Sequence, residues 1–74
     1  MAEKYFCDLL VESRVAMNLA QKQAAEKLGI SARGYQNYEY GVRIPTGGVL
    51  LKLIKLYNLH QEEVQKSIDA QISR

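Results

Sequence analysis

Residues 19–41 constrain this chain more than any other stretch: Leu-Ala-Gln-Lys-Gln-Ala-Ala-Glu-Lys-Leu-Gly-Ile-Ser-Ala-Arg-Gly-Tyr-Gln-Asn-Tyr-Glu-Tyr-Gly. Ala24, Ala25 and Leu28 fall on one helical face, and their small size lets another helix approach closely. Gly29 ends that helix with a residue suited to positive φ. Ile30 plugs the turn into the core, and Ser31 is a good N-cap for the next helix, predicted over about 32–39. Two short helices joined by a tight turn result. The second shows Arg33, Gln36 and Asn37 on a polar face, while Tyr35 and Tyr38 turn inward.

The rest of the chain reads as scaffold for this pair. Residues 3–17 carry apolar positions at Phe6, Leu9, Leu10 and Met17, the spacing of an amphipathic helix. Asn18 ends it, because Asn tolerates the left-handed conformation. Ala20 then opens the next helix without a capping side chain, a bare start. After Gly41 comes a loop, Val42-Arg43-Ile44-Pro45, and Thr46 caps a fourth helix over about 47–57. Leu50, Leu51, Leu53, Ile54, Leu56 and Tyr57 make that helix apolar on most sides, so it is predicted to be the central buried helix, with Lys52 and Lys55 on its wet side. A fifth helix starts near Gln61 and runs over about 61–72. No strand-like alternation, repeat or low-complexity tract occurs. The expected fold is all-α, a compact five-helix bundle forming one domain over residues 1–74.

Composition narrows the function classes. At 74 residues only about 60% of the unfolded surface can be buried, so a partner chain could add stability. The single Cys7 cannot form an internal disulfide and fits a reducing, cytoplasmic setting. It reads as a semi-buried hydrophobe. No apolar run is long enough for a membrane span, and Glu3, Lys4 and Asp8 interrupt any signal-peptide pattern. The net charge of +2 is only mildly basic. Arg14, Lys22, Arg33 and Arg43 nevertheless gather in or beside the two-helix motif, away from Glu62 and Glu63. His60 lacks partners for a metal, and no nucleophile–base constellation, phosphate-binding glycine loop or carboxylate pair appears. Neither catalysis nor a cofactor is expected, and no sensor for a small-molecule effector is evident.

In order and spacing, the chain from about Leu10 to Val64 resembles the lambda repressor/Cro-type helix-turn-helix domain, the XRE family. The matching residues are Arg14; Leu19, Gln21, Ala25 and Leu28-Gly29-Ile30-Ser31; Glu39 and Gly41; Pro45-Thr46; and Leu50-Leu51-Lys52-Leu53. The resemblance implies a lambda-repressor-like bundle whose third helix reads double-stranded DNA. By the same resemblance Ala32, Arg33, Gln36 and Asn37 fall where base edges are touched. Gln21 would bond a phosphate and buttress the next helix, Arg43 would touch backbone phosphate, and Arg14 with Glu39 would form a structural ion pair. The chain departs from the family at Gly34 inside the recognition helix, at Ala20 in the capping position, at Gly47 in place of a core-facing aliphatic, and in three tyrosines crowded around Glu39.

The chemistry of these side chains agrees with that role. Arg33 carries two parallel donors that match guanine O6 and N7, while Gln36 and Asn37 can each donate and accept, as adenine N6 and N7 require. A solvated polar helix face would use the same residue types, and Arg43 could equally be an ordinary loop arginine. The hydroxyl of Tyr40 could reach phosphate. Val64, Ile68 and Ile72 recur every four residues and could either pack back beside Phe6 and Leu9 or form a two-fold dimer seam. A dimer would set two recognition helices about 34 Å apart, matching half-sites about 10 base pairs apart. The leading expectation is thus a sequence-specific transcriptional regulator of repressor type, acting as a homodimer. The alternative is a protein-interaction module, such as an antitoxin or adaptor, gripping a protein partner through its last helix.

Overall fold

A computed structural model describes residues 4–73; the Glu3 end of the predicted first helix lies outside the described residues. Among them are five helices and no strand: α1 (Phe6–Ala16), α2 (Gln21–Leu28), α3 (Ala32–Glu39), α4 (Gly47–Tyr57) and α5 (Gln61–Ser73). Helix α1 packs against α3 and α5, and α2 against α3 and α4. The core is built from Phe6, Leu9 and Leu10 of α1, Ala24, Ala25 and Leu28 of α2, Tyr35 of α3, Leu53 and Tyr57 of α4, and Val64 of α5.

The helix ends follow local chemistry. Asn18 adopts φ 57° just past α1, and Gly29 adopts φ 73° after α2, both in the left-handed region. Ser31 caps α3 by accepting the Gly34 N–H at 3.0 Å. Ala20 has no side-chain oxygen to offer, yet the start of α2 is not bare: Gln23 reaches back and accepts the Ala20 N–H at 2.8 Å, half of a capping box. Thr46 occupies the N-cap of α4 but makes no side-chain bond there, contrary to its expected role. Helix α1 also lacks a local cap at Tyr5. Its second amide, the Cys7 N–H, instead donates to Gln71 Oε1 of α5 at 2.8 Å, a buried bond between residues far apart in sequence.

Three expectations about burial need correction. Helix α4 is not the central helix. It lies chiefly against α2, with Leu53 and Tyr57 in the core and Val49, Leu50, Ile54 and Leu56 only partly buried against it. Leu51 is one residue out of phase and 67% exposed. Met17 is exposed because it stands at the C-cap of α1, beyond the last inward turn. Gly47 is not in a core-facing position either: it has φ 54°, and a Cβ there would meet nothing within 4 Å.

Candidate nucleic-acid interface

The two-helix motif is assembled as a rigid corner. The Ile30 N–H donates to the Ala25 carbonyl at 3.1 Å, closing the turn around Gly29. Lys52 of α4 places its ammonium 3.3 Å from the Leu28 carbonyl, where a cation meets the negative end of the α2 dipole. With Tyr35 and Glu39 buried on the inner side of α3, positions 33 and 37 fall on the opposite side and position 36 on the flank beside α2, where Gln36 meets Gln21. Arg33 is exposed, and Ala32, Gln36 and Asn37 are half-buried. The Asn37 carbonyl accepts the N–H groups of Val42 and Arg43 at 3.0 and 3.2 Å. That double bond to the backbone ties the loop carrying exposed Arg43 to the end of the same helix. Tyr40, 64% exposed, stands at the α3 C-cap.

Behind this face lies a buried polar network. Glu39 Oε2 accepts from Arg14 Nε at 2.6 Å, and Oε1 accepts from Arg14 Nη2 at 3.2 Å. The pair is two-pronged and secluded, with side-chain exposures of 16% for Arg14 and 1% for Glu39. Arg14 also donates to the Leu19 carbonyl at 2.8 Å, so it holds the α1–α2 link as well. Gln21 Nε2 donates to Glu39 Oε1 at 3.0 Å, and Gln21 Oε1 accepts from Gln36 Nε2 at 3.3 Å. Tyr35 stands close enough to Glu39 to influence its ionisation, and its hydroxyl hydrogen-bonds that of Tyr57 at 2.5 Å. Residues from α1, α2, α3 and α4 thus meet at one anion.

Ionisation follows from these contacts. Burial pushes the Glu39 carboxyl upward, but hydrogen bonds from Arg14, Tyr35 and Gln21 outweigh it and hold the group below the usual carboxylate value. Burial raises both phenols. For Tyr35 the bonds to Glu39 and Tyr57 add to the rise; for Tyr57 the bond to Tyr35 works against it without reversing it. Glu39 is therefore an anion and both tyrosines are neutral at neutral pH.

The sequence-predicted residues divide accordingly. Arg14 faces inward on Glu39 and is not one of the free cations around the motif; Lys22, Arg33 and Arg43 are exposed. Gln21 has both ends of its amide engaged, with one N–H left over. Val64 is buried in the core, Ile68 is packed against it, and Ile72 is 66% exposed. Sequence reasoning missed Tyr57 and Gln71. A signal for the first existed: Tyr35 and Tyr57 both fall on apolar stripes, and two buried hydroxyls need partners. Gln71, seven residues after Val64, lies on the inward face of α5, so a buried amide in need of a partner was readable, but nothing local named the α1 amide as that partner.

Comparison with known proteins matches this architecture. The model of a helix-turn-helix family (HTH_3) aligns with residues 10–64, from the α1 core through the first turn of α5. The chain belongs to that family, of XRE type. A helix-turn-helix relative is the HTH-type transcriptional regulator ImmR of Bacillus subtilis (strain 168), 43% identical over 63 residues. The alignment covers 77% of this chain and 50% of the relative, so the chain spans about half the relative's length. No solved structure gives a significant match. Among the described residues no helix is long and apolar enough to cross a membrane, and no group of His, Cys, Asp and Glu could hold a metal ion.

Proposed function

We propose that this helix-turn-helix domain is a sequence-specific double-stranded DNA-binding transcriptional regulator that places α3 in the major groove. One observation supports the reading: α3 carries Arg33 and Asn37 opposite, and Gln36 beside, the Tyr35 and Glu39 side that is held to three other helices. A helix held this firmly presents donors and acceptors in fixed positions, as base reading requires. The relative named as a transcriptional regulator supports the same class.

In this reading Arg33, Gln36 and Asn37 contact base edges and Ala32 makes apolar contact. Arg43, Tyr40 and the remaining N–H of Gln21 bond phosphates and set register. Covering a promoter needs nothing beyond binding, so the regulator acts as a repressor. Two copies related by a two-fold axis would double the contacts. The outer face of α5 around Ile72 is the part of the α5 stripe still open to a second copy, since Val64 and Ile68 are engaged within the fold. Selection from a random duplex pool at fixed salt tests the proposal. Enrichment of a palindrome is the expected result; a pool that stays random overturns it.

A further inference from the structure

We infer that the buried Glu39 carboxylate fixes which end of the Gln36 amide faces the DNA, and that Gln36 therefore reads adenine. The inference rests on the reading of α3 as the groove-binding helix. It follows from donor and acceptor chemistry at three side chains in series.

Glu39 has no proton to give, and its Oε1 lies 3.0 Å from the end of Gln21. Only the NH₂ end of Gln21 can face it. The carbonyl end of Gln21 is then the one that meets Gln36, at 3.3 Å. Two carbonyl oxygens would repel, so Gln36 must also present its NH₂ group inward. What remains free on Gln36 is its Oε1 and one N–H. Rotating the Gln36 amide by half a turn sets oxygen against oxygen at Gln21. Rotating both amides moves that clash to Glu39, where Arg14 keeps the carboxylate charged and in place.

The free pair on Gln36 selects among bases. Adenine offers an N6–H donor beside the N7 acceptor, which matches an oxygen and an N–H in one plane. Guanine offers O6 and N7, and thymine O4, acceptors that can take only the free N–H of Gln36 and leave its Oε1 without a donor. Cytosine offers the N4 donor alone and satisfies half of the amide. An unconstrained glutamine could turn to suit either purine. Here the turn is blocked by residues that never touch DNA, which makes Glu39 and Gln21 positioning residues for specificity.

The test is a comparison of base preference across three proteins, by selection from a random duplex pool at one salt concentration. Gln36→Ala marks the position that Gln36 reads, as the one whose preference disappears. At that position the wild-type chain should favour A over G by at least about tenfold, the scale of one good bidentate contact. Gln21→Met leaves the Arg14–Glu39 pair intact but frees the Gln36 amide, and the ratio should fall to about threefold or less. Overall affinity will also drop in that variant, so the readout is the A-to-G ratio and not the binding constant. A marked position that prefers G or T overturns the inference, as does an unchanged ratio in Gln21→Met or a Gln36→Ala profile identical to wild type. Those results leave the DNA-binding reading standing. A wild-type pool with no enrichment removes both.

Discussion

Glu39 is the residue on which most of this molecule's polar architecture converges. It is buried, charged and bonded by Arg14 and Gln21, so each partner removed leaves an uncompensated group behind. Arg14→Ala should destabilise the fold by about 3 kcal/mol or more, because the stranded carboxylate stays in a dry site. In urea titrations the double variant Arg14→Met/Glu39→Leu should lose less than Arg14→Ala. The pH dependence follows from the same contacts. A carboxyl held below its unfolded pKa contributes stability that is complete above the unfolded value of about 4.3 and fades as pH falls through the folded one. A phenol held above its unfolded pKa does the reverse, with its contribution complete below about pH 10 and lost as pH rises. Thermal melts should therefore show a plateau bounded by an acid limb from Glu39 and an alkaline limb from Tyr35 and Tyr57. In Glu39→Gln the acid limb should shrink. Gly34 is a separate case. An added Cβ would sit 3.1 Å from the exposed Ser31 Oγ, which can give way by a few tenths of an ångström. Gly34→Ala should then stabilise α3 by about 0.5 kcal/mol, a rise of a few degrees in Tm.

At the scale of elements, caps and phases decide what the sequence reveals. Asn18, Gly29 and Ser31 announce helix ends through local conformational preference, and all five helices stand where periodicity and these signals predict them. Helix α4 misleads because its composition is apolar on nearly every side. It packs chiefly against α2 and leaves Leu51 exposed, and composition does not encode how many neighbours a helix will have. The cap of α1 is invisible for another reason: Gln71 supplies it from the far end of the chain, and no local pattern marks a contact across that distance. Gln71→Ala should leave the Cys7 N–H without a protein partner and cost about 1 kcal/mol. Amide exchange in the first turn of α1 should accelerate more than in α3. The candidate site was legible where side-chain type and helical spacing suffice, at Arg33, Gln36 and Asn37. It was illegible where partners come from different helices and no resemblance names them, as in the Tyr35–Tyr57 pair.

The molecule as a whole divides its charges by task. Arg14 is neutralised inside, while Arg33 and Arg43 lie exposed on or beside α3, the second held by backbone bonds to the Asn37 carbonyl. On DNA those two arginines should behave differently. Arg43→Ala should weaken binding to all duplexes alike and flatten the dependence of log K on log salt by about 0.9, one phosphate contact. As proposed, α3 is an outward-facing reading helix held from behind. Its most direct test is the affinity of Arg33→Ala for the selected duplex and for a scrambled one, at a single salt concentration. Affinity should fall by about tenfold or more on the selected duplex and far less on the scrambled one. Equal losses on the two would contradict it.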